Sequence, residues 1–215
     1  AYGIAAIVAA LGFVAVLFGM IVTKGLPAFT QASFALDATF DPEIVKVDPK
    51  PVQRQDQSPA DYRAEVLAWE RAVTMVNWNR VIEAAVRAKA PDADIDARQV
   101  LSLVETNERF RLRDMFVADP SLLGRTVPVS MLASANADNW LKGTIDRSLP
   151  DAQQQLREPA RNLADRLLAE GVIGFRFAWH IFTNVDSRSA PAAAGLAGAF
   201  MGSLYMMLVV IVLAV

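Results

Sequence analysis

The chain has no cysteine, a single histidine, and no charged residue in its first 23 or last 27 positions. Without cysteine there is no disulfide framework, no thiolate metal site and no thiol nucleophile. The lone His180 excludes a multi-histidine metal site, and no nucleophile stands at a spacing that would make it a catalytic base. Between Trp179 and Ile181, on an alternating segment, it reads as a partly buried structural residue. Glycine-rich phosphate loops, nucleophile elbows and zinc-protease signatures are also missing. No catalytic, cofactor or metal residue is therefore assigned, and enzymatic activity is not expected. The net charge of −2 lacks the basic excess that a nucleic-acid surface needs.

What is present is an uneven distribution of charge. All 21 Lys+Arg and 23 Asp+Glu lie between Lys24 and Arg188. The flanking runs, Ala1 to Val22 and Gly195 to Val215, are apolar throughout. At a rise of about 1.5 Å per residue each is long enough for a hydrocarbon core of about 30 Å. The layout predicts a transmembrane helix over 1–23, a soluble domain over 24–190 and a second, truncated transmembrane helix over 191–215. A secretory signal would have a shorter apolar stretch, a basic start and a small-x-small cleavage site. Thr23-Lys24-Gly25-Leu26-Pro27 offers no such site, so the first run reads as an anchor. Charge bias does not orient the chain, because long loops translocate regardless of their charge.

Small residues recur on both runs. Ala5, Ala9, Gly12 and Gly19 fall near one face of the first, and Ala194, Gly198 and Gly202 repeat at four-residue spacing in the second. Such spacing lets helix backbones approach closely where lipid supplies no hydrophobic push, so Ala194, Gly198 and Gly202 are the predicted helix-packing face.

Between the runs the pattern is α+β, mostly helical, with a small sheet. Phe34 and Leu36 alternate with polar or small neighbours over 33–40, which predicts a strand stopped at Asp41-Pro42. Residues 46–58 read as an exposed connection. Ser58-Pro59-Ala60-Asp61 then supplies an N-cap, a proline at N1 and an acid at N3. The helix that follows shifts phase at Asn77-Trp78-Asn79 and must end by Ala90, ahead of Pro91. A second helix is predicted over 96–117, with Val100, Leu101, Val104, Phe110 and Phe116 inward. Thr126 to Leu132 predicts a strand that Pro128 confines to a sheet edge. Ala137 to Leu141 predicts a short helical turn closed at Gly143. A helix over 151–170 restarts at Pro159 and is capped by Gly171, and a third strand is expected over 172–182.

Three charged constellations carry candidate chemistry. Asp92, Asp94 and Asp96 have the spacing that opens a calcium loop, but Ala97 replaces the turn glycine and Leu103 the bidentate glutamate. An acidic helix start capped by Asp94 or Asp96 explains them better. Glu105, Glu108, Arg109, Arg111, Arg113 and Asp114 read as a solvated helix face laced with ion pairs. Alternatively Arg109 and Arg113, one turn apart, face an anion or an acidic partner.

Two segments carry a resemblance. One is Lys24-Gly25-Leu26-Pro27-Ala28-Phe29 through Leu36-Asp37-Ala38-Thr39-Phe40-Asp41-Pro42-Glu43. The other is Phe182-Thr183-Asn184-Val185-Asp186-Ser187-Arg188, leading into Gly195-Leu196-Ala197-Gly198 and Gly202-Ser203-Leu204. Together they resemble the phosphate ABC transporter permease of the PstA type, in the bacterial subgroup with a large extracytoplasmic domain after its first transmembrane helix. The chain departs from that pattern at Ala193, where an acidic residue is common. The resemblance implies a multi-pass subunit of the bacterial inner (cytoplasmic) membrane with its central domain in the periplasm. The implied partners are a second permease subunit, ATPase subunits that hydrolyse ATP, a periplasmic phosphate-binding protein and the lipid bilayer, with no cofactor on this chain. The central domain is then an interaction module. The competing class is a membrane-anchored sensory receptor or histidine kinase, in which two such helices also bracket a ligand-sensing domain.

Overall fold

A computed structural model describes residues 2–185 and 191–214. The Asp186-Ser187-Arg188 part of the second motif, and the expected domain boundary at 190, lie outside the described residues. Helix dominates, with one three-stranded sheet. The chain divides into two compact units: residues 1–31, 175–187 and 194–215 form the first, and 32–174 with 188–193 form the second.

The first unit holds two apolar helices. Helix α1 runs Tyr2–Gly25 and helix α9, the last of the chain, Ala197–Ala214. Both are long and apolar enough to cross a membrane, and neither is buried against other protein. At 18 residues α9 is about 27 Å long, close to a hydrocarbon thickness. Near the end of α1 the Thr23 hydroxyl donates to the Gly19 carbonyl at 2.8 Å, which satisfies a polar group that lipid could not. Lys24 in the last turn complements the helix dipole.

In the sheet, strand β1 (Thr30–Thr39) is central, with β2 (Thr126–Leu132) and β3 (Ile173–Phe177) on either side, and β2 and residues 32–39 of β1 belong to the second unit. Strands β1 and β2 are antiparallel, with Phe34 opposite Met131 and Leu36 opposite Val129. Pro128 lies on an edge strand, where a missing N–H is tolerated. Helix α2 (Pro59–Met75) starts as its sequence predicts: the Ser58 side chain accepts from the Asp61 N–H at 3.1 Å. The phase shift at Asn77 is a break, and α3 (Trp78–Lys89) follows. Helices α4 (Ala97–Leu101), α5 (Glu108–Ala118), α6 (Ala135–Leu141) and α7 (Glu158–Ala169) complete the unit. Gly143 and Gly171 have positive φ and close α6 and α7 as left-handed caps. Phe116 anchors the core, its ring 6.0 Å from Phe40, 6.1 Å from Trp69 and 5.7 Å from Trp78. The Trp69 indole donates to the Asp48 carbonyl, and the Trp78 indole to that of Val73.

Four expectations are corrected. The single helix over 96–117 is two, because residues 102–107 leave helical geometry to cover the outer edge of β2. Val104 bridges Ala133, the Glu105 N–H donates to the Leu132 carbonyl, and the Glu108 carboxylate accepts the Leu132 N–H at 3.0 Å. An edge strand left open would invite pairing with another chain, and this segment closes it. Glu105 and Glu108 are consequently buried, not part of a solvated face. Phe110, expected inside, is 42% exposed. Finally, the strand over 172–182 stops at Phe177, and a short helix α8 (His180–Thr183) takes over.

Candidate functional site

The predicted arginine pair lines a cleft. Helix α5 carries Arg109 on its first turn and Arg113 one turn later, with Phe110 between them. Across from them stand Thr74 and Val76 at the end of α2, and Asn77, Trp78 and Asn79 at the start of α3. The cleft holds about 210 Å³. Trp78 is locked in the aromatic core, so the first turn of α3 is fixed. The Asn77 side chain makes no capping bond there, and among the described residues the Asn79 N–H reaches no backbone carbonyl. Both guanidinium groups lie against Phe110, Arg109 at 4.6 Å and Arg113 at 5.4 Å from the ring centre. Arg113 also pairs with Asp114 at 2.7 Å. Arg109 has no ion pair among the described residues, and its Nε is buried without an acceptor. No carboxylate lines the cleft. Two cations thus share one ring and one carboxylate, and the balance left over is positive.

The aspartate triplet does other work. Asp92 pairs with Arg166 at 2.8 Å, and that hydrogen bond holds its carboxyl below the usual range. Asp96 caps α4 in a reciprocal capping box with Gln99. Among the described residues no group of three or more metal-ligating side chains is assembled.

A second site lies wholly in the first unit, where the chain returns to its last apolar helix. The Ala178 N–H donates to the Phe29 carbonyl at 2.8 Å. The rings of Phe29, Phe177 and Phe182 stack within 6.4 Å of one another, and Trp179 sits edge-on to Phe177 at 4.6 Å. All four rings are substantially exposed, Trp179 at 70%. Tryptophan and its aromatic neighbours favour the headgroup depth of a bilayer, where one end of the ring is apolar and the other wet. The start of α9 is then held by backbone hydrogen bonds. The Gly195 N–H donates to Val185 O, the Leu196 N–H to Ile181 O at 2.7 Å, and the Ala197 N–H to Asn184 O. The orphan carbonyls ending α8 meet the orphan amides opening α9.

The predicted packing face is rearranged by this capping. Ala194 precedes α9 and is not on the helix, because the bonds from residues 195–197 hold the chain non-helical up to that point. Gly198 lies against Val185, where an added Cβ would stand 3.5 Å from Cγ1, and Gly202 has open space around it. Gly202, Ser203, Met206 and Val210 line a shallow apolar groove along α9. The glycine with a steric reason is Gly195: a Cβ there would overlap the carbonyl oxygens of His180 and Asn184. Sequence spacing gave no sign of it, since the clash involves a segment more than ten residues away. His180 is partly buried, as expected, but on a helix and not a strand.

These features define a helix-rich α/β domain carried by a chain with two helices apolar enough to cross a membrane. Residues 1–151 match the family described as "Domain of unknown function (DUF3333)", and the chain belongs to that family. The matched stretch includes α1 and the whole arginine cleft. No curated protein and no solved structure matches the chain.

Proposed function

We propose that the chain is a membrane permease subunit of an ABC importer for inorganic phosphate, resembling the PstA type, with its central domain in the periplasm as an interaction module. The observation that carries this reading is the meeting of the two segments that bear the resemblance. Phe29, from the first, stacks on Phe182, from the second, at 6.2 Å. Motifs about 150 positions apart in sequence build one junction between two apolar helices, as parts of a single device would. The groove along α9 at Gly202 and Met206 suits a helix of the second permease subunit. ATP hydrolysis then belongs to separate ATPase subunits, and the chain itself catalyses nothing.

The test is photo-crosslinking in cells from the exposed apolar residues Val52, Leu67 and Met75 of the domain. Adducts with the periplasmic phosphate-binding protein or the second permease subunit are expected, together with loss of phosphate uptake when the domain is removed. Adducts with neither, and unchanged uptake, defeat the proposal. The arginine cleft favours a second reading, a membrane-anchored receptor that senses a ligand. In that case a cytosolic signal responds to the domain's occupancy while phosphate uptake does not.

A further inference from the structure

We infer that the cleft between α3 and α5 is a binding site for a tetrahedral oxyanion of the phosphate class, held by Arg109 and Arg113. Two guanidinium groups gathered on one phenyl ring repel each other, and in a half-buried cleft water screens that repulsion less than at an open surface. Asp114 answers only Arg113. An anion in the cleft supplies the countercharge that Arg109 lacks among the described residues.

The surrounding donors suit an oxyanion and not a metal or an apolar ligand. Guanidinium forks match phosphate oxygens in pairs, and both already lie against Phe110, so less rotamer freedom is lost on binding. Asn79 contributes an N–H at the start of a 12-residue helix, where the dipole favours negative charge. Asn77 adds a neutral side-chain donor at the rim, whereas Thr74 donates its hydroxyl proton to the Glu70 carbonyl at 2.8 Å. No carboxylate lines the cleft, and Asp114, beside Arg113, is already neutralised by that pairing. The cleft would hold an oxyanion whether or not the whole protein transports one, so this site and the transport reading can fail separately.

The experiment uses the intact chain in phosphatidylcholine nanodiscs, titrated with inorganic phosphate against chloride at equal ionic strength, by calorimetry and by thermal shift. Saturable binding is expected, weakened about tenfold to a hundredfold by Arg109→Ala, as loss of a charge-assisted bond predicts. Arg109→Lys keeps the charge without the fork and should fall between the two. The exposed Arg125→Ala, which does not line the cleft, should bind like the parent, and melting in chloride checks that each variant is folded. A parallel arm replaces phosphatidylcholine with phosphatidylglycerol and omits free phosphate. Stabilisation there that Arg109→Ala removes identifies a lipid headgroup as the source of the same chemistry. If the chain responds to neither, or if Arg109→Ala, Arg113→Ala and the parent respond alike, the site does not exist.

Discussion

Gly195→Ala should loosen the return into α9 while leaving the core of the second unit intact. The new Cβ would meet the carbonyl oxygens of His180 and Asn184, both backbone atoms that cannot swing aside. The chain must move, and the bonds from the Gly195, Leu196 and Ala197 amides stretch together. Overpacking alone costs about 1–3 kcal/mol. Losing two of these bonds, worth about 0.5–1.5 kcal/mol each, brings the local loss to roughly 2–6 kcal/mol. Hydrogen exchange of the 195–197 amides in nanodiscs reads that directly, since every 1.4 kcal/mol is tenfold. Exchange should quicken by about thirtyfold or more, with the Phe40–Trp69–Trp78–Phe116 cluster unchanged. Gly202→Ala is the matched control, because nothing stands within 4 Å of its added Cβ. Equal exchange in Gly195→Ala, Gly202→Ala and the parent would refute the steric account of the junction.

Three other perturbations are informative. Trp179 is 70% exposed whereas Trp69, Trp78 and Trp140 are at most 7% exposed, so brominated lipid should quench a minority of the fluorescence, and Trp179→Phe should abolish that fraction; quenching that survives the substitution would remove Trp179 from the interface. The Asp138–Lys142 pair is largely buried at 2.6 Å, and Asp138 also accepts the Ala32 N–H, so Asp138→Ala should cost about 3–5 kcal/mol in denaturant unfolding while Asp138→Leu with Lys142→Met costs less. Burial is the main cause raising the Glu105 carboxyl above its ordinary 4.5, with Glu108 adding to it against backbone donors from Thr106, Asn107 and Ala192. Its contribution to stability is therefore full below about 4.5 and is lost as pH rises through the higher folded value. The melting-temperature difference between Glu105→Gln and the parent should widen from pH 4 to pH 7, and a constant difference would show that Glu105 does not titrate abnormally.

Features held within a few residues were legible before any fold was known. Ser58, Pro59 and Asp61 announce a helix start because the orphan amides they satisfy lie one turn away. Gly143 and Gly171 announce stops because only a residue without a Cβ adopts their φ cheaply. Pro128 marked an edge strand for want of an N–H. The arginine pair was visible at i and i+4, but its cleft was not. Thr74, Asn77 and Asn79 come from about thirty residues upstream and reach it only because Trp78 and Phe116 pack together.

Sequence alone determined where lipid could replace water, since 22 consecutive uncharged apolar residues leave few other solvents for α1. It also determined the caps, because their bonds are local. Tertiary structure decided the rest by supplying distant partners for backbone groups. The helix expected over 96–117 broke because the edge of β2 needed its 104–108 segment more than helical continuity did. Phe110 turned outward to carry two cations, and Gly195 became indispensable only once His180 and Asn184 closed over it.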